Sequence, residues 1–283
     1  MTIPAVPQAS SATPVHYVRF TLGQRLLHAV LVITFLGLAA TGLPMHFNKA
    51  GASMLFANAV GGFAVIIWFH KVCAVTLTLA FLVHVGVIGY RVAVHKEWKL
   101  LWGRESLVPN LDDVRGLYAQ MKWFLFLGPK PKFDRFTYWE KFDYWAVFWG
   151  MFIIGLSGYA MWFAPLFARL VPGSWLNVAL LVHGEEALLA VSFIFLVHFF
   201  NEHLRPDNFP MDVTIFTGAH TEEELRDRHS EEFEHLQKTG ELKALLTQRP
   251  SKSAMTISRV FGAAAVVIGL VLLVLTIQAF LTR

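Results

Sequence analysis

Two stretches decide the fold: Phe69-His70-Lys71-Val72-Cys73-Ala74-Val75-Thr76-Leu77-Thr78-Leu79-Ala80-Phe81-Leu82-Val83-His84 and Val182-His183-Gly184-Glu185-Glu186-Ala187-Leu188-Leu189-Ala190-Val191-Ser192-Phe193-Ile194-Phe195-Leu196-Val197-His198. Each is a long apolar run with a histidine near either end. Both sit inside stretches long enough to cross about 30 Å of hydrocarbon, which takes roughly 20 helical residues. Five such stretches occur, at about residues 24–47, 62–92, 142–168, 176–202 and 257–281. Composition agrees. Of 283 residues 55% are apolar and 16% charged, against about 25% charged in a soluble domain. Mean hydropathy is +0.50. Too few charges remain to cover a water-facing surface, and disorder, collagen and disulfide scaffolds are excluded. Cys73 is the single cysteine, which excludes an intrachain disulfide, a Cys-x-x-Cys-His motif and a four-cysteine iron–sulfur site.

Orientation follows from Lys and Arg. The 91–141 connection carries ten, the 203–259 connection eight, and Arg19 and Arg25 precede the first span; the other side has only Lys49, Lys71, Arg169 and Arg283. This bias places the N-terminus and both long connections in the cytoplasm and the C-terminus on the periplasmic side of an inner membrane. The net charge of +4 therefore reflects basic loops, and no nucleic-acid partner is expected. Residues 1–18 read as a Pro/Ser/Ala-rich tail rather than a cleavable signal. Residues 203–256 read as a cytoplasmic amphipathic segment. In it Thr221-Glu-Glu-Glu224 fits a capping box, opening a helix to Leu246 with Leu225, Phe233, Leu236, Leu242 and Leu245 as its apolar positions, lying at the membrane surface or serving a partner. Residues 257–283 form the last span.

The chain also repeats itself. Arg19-Phe20-Thr21 recurs as Arg135-Phe136-Thr137, and Thr41-Gly42-Leu-Pro-Met45-His-Phe47 as Ser157-Gly158-Tyr-Ala-Met161-Trp-Phe163, at one constant offset. The next span of each half ends alike, Phe81-Leu82-Val83-His84 and Phe195-Leu196-Val197-His198. The expected fold is all-α and membrane-integral. Two parallel copies of a helical hairpin make a four-helix bundle over residues 19–202, with a fifth helix added.

Ionisable side chains in hydrocarbon are costly and mark function. His70 and His84 in the second span, and His183 and His198 in the fourth, are 14 and 15 residues apart. Those spacings advance about 21 and 22.5 Å and fall within about 60° of whole turns. Each pair thus lies on one face of its helix, one histidine near each membrane surface. Two such helices facing each other form two stacked His/His clamps, the arrangement a six-coordinate haem iron requires. Two haem b groups so stacked carry electrons across a bilayer. His28, one turn into the first span, lies at roughly the depth of His198 and can replace His84 as its partner; its repeat equivalent is Tyr144.

These residues resemble a family. Arg25-x-x-His28, the histidine opening span two and the paired histidines of span four are similar to the cytochrome b subunits of respiratory formate dehydrogenases, [NiFe]-hydrogenases and thiosulfate reductases. Phe133-Asp-Arg-Phe-Thr-Tyr-Trp-Glu-Lys-Phe-Asp-Tyr-Trp and Phe209-Pro-Met-Asp-Val-Thr-Ile-Phe-Thr-Gly also resemble cytochrome b/b6-domain proteins that serve multihaem cytochromes. The resemblance covers about residues 17–236. It implies that His70 pairs with His183 and that His28 rather than His84 pairs with His198, while His84 fits a bc1/b6-type arrangement instead. It also implies a partner on the outer face, either a multihaem c-type cytochrome or an iron–sulfur or catalytic redox subunit.

Glu202-His203-Leu-Arg205-Pro-Asp207 follows His198 at the cytoplasmic edge. A quinone needs an amphiphilic slot with hydrogen-bond partners near a haem, and His203, Arg205 and Asp207 can supply them. Glu185 and Glu186 lie beside His183, and Lys71 sits at the same end, able to pair with one of them, with a haem propionate, or to snorkel. The expected function is a dihaem b-type electron-transfer subunit linking the quinone pool to a redox protein. A transporter using its membrane histidines for proton relay or transition-metal binding is the alternative.

Overall fold

The structure, a computed structural model, describes residues 14–205 and 208–282. Five of its helices are long and apolar enough to cross a membrane: Leu22–His46, Phe63–Ala93, Tyr138–Trp162, Ser174–Leu204 and Lys252–Leu281. The third starts earlier than its hydropathy suggests because Thr137 caps it. The Thr137 hydroxyl accepts from the Glu140 N–H while the Glu140 carboxylate accepts from the Thr137 N–H, so two orphan donors are satisfied at once. It also ends earlier. Phe163 leaves helical geometry and Pro165 opens the four-residue helix Ala164–Phe167. Thr21 with Gln24 forms the same capping box on the first span, so the repeated Arg-Phe-Thr motif is a helix start written twice.

The first span packs against the second, fourth and fifth, and the third packs on the fourth. At the centre Phe195, Phe199, Ala39, Val191 and Val266 are buried together. Gly269 allows this approach, since a side chain there would stand 2.8 Å or less from the Phe195 and Phe199 rings. Apolar side chains such as Leu79 and Leu82 point outward and stay exposed, as they must when hydrocarbon is the solvent. Among the described residues three π-helical turns interrupt the second half: Met151–Gly155 in the third span, and Ile194–His198 and Phe200–Leu204 in the fourth. A π turn admits one extra residue.

Two sequence expectations change on the cytoplasmic side as read from Lys and Arg. Within the expected tail, His16–Val18 is a strand, central in a three-stranded sheet between Ala219–Thr221 and Leu246–Thr247. The expected helix to Leu246 starts as predicted, with the Thr221–Glu224 capping box in place, but breaks into Glu222–Arg228, Ser230–Thr239 and a 3-10 turn at Glu241–Leu245. At the break His229 leaves helical geometry and turns its ring inward, with Nδ1 2.9 Å from the Asp134 carbonyl. The segment is therefore a cap over the bundle rather than a straight surface helix. Leu225 and Phe233 bury themselves against Tyr17, with Leu242 and Leu245 packed beside them.

Candidate functional site

A cavity of about 1290 Å³ runs between the spans, lined by His70 and His183 at one level and by His28, His198 and His203 at another. It exceeds the roughly 300–1,000 Å³ of single-ligand pockets. The rings of His70 and His183 stand 6.2 Å apart, centroid to centroid. With metal–imidazole bonds of about 2 Å each, two nitrogens sharing one ion stand about 4 Å apart and their centroids further, so this pair is within reach of one iron.

The two halves hold these histidines alike. Thr41 donates its proton to the Gly37 carbonyl at 2.6 Å, so it accepts from His70 Nδ1 at 2.9 Å. Ser157 donates to the Ile153 carbonyl at 2.6 Å and faces His183 Nδ1 at 3.4 Å, while that nitrogen donates to the Ile154 carbonyl at 2.9 Å. With Nδ1–H committed, Nε2 of each ring keeps its lone pair for a ligand. Gly42 and Gly158, also repeat equivalents, let the rings lie flat on their helices; side chains there would come within 3.3 and 2.9 Å of His70 and His183 Cε1.

At the other level His198 Nδ1 donates to Asp143 Oδ2 at 2.8 Å, the carboxylate–histidine pairing typical of metal ligands. His28 is buried within electrostatic reach of His198 and His203, and its Nδ1 has no hydrogen-bond partner. His84 stands apart: its Nε2 meets the Tyr144 hydroxyl at 2.9 Å, its ring packs on Phe148, and it is not among the described residues lining the cavity. His203 lies 6.3 Å from His198, ring to ring. Glu202 Oε1, His203 Nδ1 and Asn208 Oδ1 are buried without partners, and buried polar atoms require one. Arg205 lines the same end, over the Trp139 ring at 5.0 Å. Asp207 lies outside the described residues. Lys71 does not pair with the neighbouring acids: it sits 4.7 Å over the Trp162 ring, and Glu186 accepts from Trp149 Nε1 at 3.0 Å. Among the described residues no three His, Cys, Asp or Glu side chains converge on one point.

Sequence reasoning missed Asp143, Thr41, Ser157 and Tyr144 as partners of the histidines, and His46, which lines the cavity beside Gly184. Asp143 carried a signal, being an ionisable side chain among aromatic residues at the start of a span. Thr41 and Ser157 stood inside the repeat without being read as chemistry.

The cap closes the cavity where the two Arg-Phe-Thr motifs meet. Arg19 donates to the Arg135 carbonyl and Arg135 donates to the Arg19 carbonyl at 2.8 Å. One carboxylate, Glu232, clamps both guanidiniums at 2.7 and 2.9 Å. Burial lowers the Arg19 pKa, with Glu232 and Glu140 opposing. Burial, then the charge of Arg19, holds the His229 imidazole well below its usual pKa. Burial is the largest influence on Asp212 and opposes its ionisation, yet the charge of Arg228 and the hydrogen bonds from Thr214 together keep that carboxyl below the ordinary range. Burial likewise opposes ionisation of Glu224, but the His220 ring at 3.7 Å and the hydrogen bond from the Thr221 N–H bring it down to about 2.

In comparisons with known proteins, the family model described as prokaryotic cytochrome b561 matches residues 19–204. No curated protein matches the chain.

Proposed function

We propose, from the premise that the chain belongs to the prokaryotic cytochrome b561 family and is thereby a membrane b-type cytochrome of electron transfer, that it holds two haems and links a quinone pool to a redox protein across the membrane. The observation that carries this reading is the facing pair His70 and His183, each with Nδ1 tied to its own half of the repeat. The residues fit two haems: a cavity larger than one ligand needs, histidines at two levels, and glycines that give the His70 and His183 rings room. His70 and His183 hold the outer one. His28 and His198 hold the cytoplasmic one, a pairing supported by the buried, unpartnered Nδ1 of His28 and by the turning of His84 toward Tyr144. Bound haem supplies a one-electron couple.

The protein's residues set the conditions around that couple. Asp143 orients His198 and raises the basicity of its Nε2. The spans exclude water, lowering the dielectric around both pairs. His203 and Arg205 supply hydrogen bonds to a quinone headgroup beside His198. The partnerless buried atoms of Glu202, His203 and Asn208 support a polar ligand at that end. The Lys and Arg distribution puts this end in the cytoplasm, and the partner protein meets the outer end.

The test is quinol-driven reduction of the purified protein, followed at the haem absorption band. His203→Leu should slow reduction by quinol while leaving reduction by dithionite and haem content unchanged. Unchanged quinol kinetics would remove the quinone assignment from this end.

A further inference from the structure

The helix Leu111–Phe124 is built the wrong way round for water. Asn110 caps it, accepting from the Asp112 and Asp113 N–H groups at 2.8 and 3.3 Å. Its outward face carries Leu111, Val114, Leu117, Tyr118, Met121 and Phe124, all exposed. Those positions recur at intervals of three and four, one continuous stripe on a helix. Its inward face is the polar one. Asp113 binds Lys141 Nζ at 2.9 Å, Gln120 is buried, and Gly116 lies against the Phe133 ring. Past the helix end Phe126 is 96% exposed, flanked by exposed Leu125 and Leu127. A contiguous apolar face of this kind marks an interaction surface.

Its depth identifies what covers it. The helix and the turn before it are tied to the third span at two points: Asp113 to Lys141, and the Leu107 carbonyl accepting from Trp145 Nε1 at 3.0 Å. Lys141 and Trp145 lie three and seven residues past Tyr138, which opens that span, or about 5 and 10 Å along the axis. Interfacial helices sink their apolar face about 5–10 Å into the boundary between headgroups and acyl chains. The apolar stripe therefore continues the lipid-facing surface of the third span, where Phe142 and Trp149 are also exposed. Its basic residues suit the same place. Lys122 folds its ammonium over the Tyr118 ring at 4.7 Å, at the exposed rim where it can meet phosphate headgroups, while Arg115 on the same rim pairs with Asp112 at 2.7 Å.

The geometry points to Leu111–Leu127 as an interfacial anchor lying in the phospholipid leaflet on the Lys/Arg-rich side, its apolar face and the Phe126 tip among the acyl chains. This inference rests on the membrane spans and is independent of the haem assignments.

The test uses the full chain in phospholipid nanodiscs. On a Cys73→Ala background, spin labels are placed at Leu117→Cys, Met121→Cys and Phe126→Cys, with Glu223→Cys in the exposed cap as the reference for water. The three helix labels should collide more with dissolved oxygen than with a water-soluble nickel chelate, and the Glu223→Cys label should show the reverse. Nickel accessibility equal to that reference would place the face in water. Low accessibility to both reagents would place it against another protein chain. Either outcome overturns the assignment.

Discussion

Thr41 and Ser157 occupy the same place in the two halves of the molecule. Each hydroxyl gives its proton to a carbonyl four residues back and turns its oxygen toward Nδ1 of a histidine, His70 and His183 respectively. An internal repeat that duplicates the orienting group as well as the histidine produces two imidazoles presenting Nε2 to one shared space. The predictions below follow from that shared space and from its counterpart at His198.

Replacing His70 or His183 by Ala should remove the same haem. Each variant should lose half of the bound haem and keep the remaining absorption band unchanged. Haem content and low-temperature spectra check this. If only one of the two substitutions lowers the content, the pair does not share an iron.

At the other level the two candidate partners of His198 should behave differently. His28→Leu should convert that haem to a high-spin form or eliminate it. His84→Leu should leave it low-spin, because the His84 ring is engaged with Tyr144. Electron paramagnetic resonance of the two variants decides, and the opposite pattern would return the role to His84.

Asp143→Asn keeps an oxygen near His198 Nδ1 but removes the charge. The ring then donates less electron density, so the oxidised iron loses stabilisation. The midpoint potential of that haem should rise, and haem affinity should fall by roughly 10–100-fold. Redox titration of membranes reads the first effect and haem loss on dilution the second. An unchanged potential would mean that Asp143 serves packing alone.

The cap should be acid-sensitive and should depend on Glu232. Glu232→Ala leaves the buried Arg19 guanidinium without its closest carboxylate, a loss of roughly 3–5 kcal/mol for a buried pair. The cap should then be cleaved by protease while the spans stay intact. For pH the signs agree. His229 has a depressed pKa, so the unfolded cap binds its proton first and stability starts to fall below about pH 6.5. The Asp212 and Glu224 carboxyls are also depressed, so what they contribute is present above the ordinary carboxylate range and is lost below about pH 4, toward about 2 for Glu224. Protease sensitivity should therefore grow in two stages on acidification. His229→Phe should remove the first.

The spans were legible in the sequence because uninterrupted apolar runs and a single residue scale decide them. The repeat was legible because Arg, Thr, Gly, Met and His cannot all recur by hydrophobicity alone. The strand His16–Val18 was not: three residues carry no periodicity, and their order comes from pairing with segments some 200 residues away. The π turns were hidden because they need no special residue. Asp143 was hidden among aromatic residues whose hydropathy defined the span. The separation of His84 from the cavity depends on how its helix is rotated against Tyr144, which spacing along one helix does not determine.

The central claim is tested most directly by a reduced-minus-oxidised spectrum of the purified protein with a haem count per chain, followed by acid–acetone extraction. The account predicts two b-type haems for each polypeptide, both extracted completely, because the chain has no Cys-x-x-Cys-His attachment motif. One haem per chain would contradict the two-level assignment, and a protein purified in native form without haem would contradict the cytochrome reading and favour a transporter using its membrane histidines.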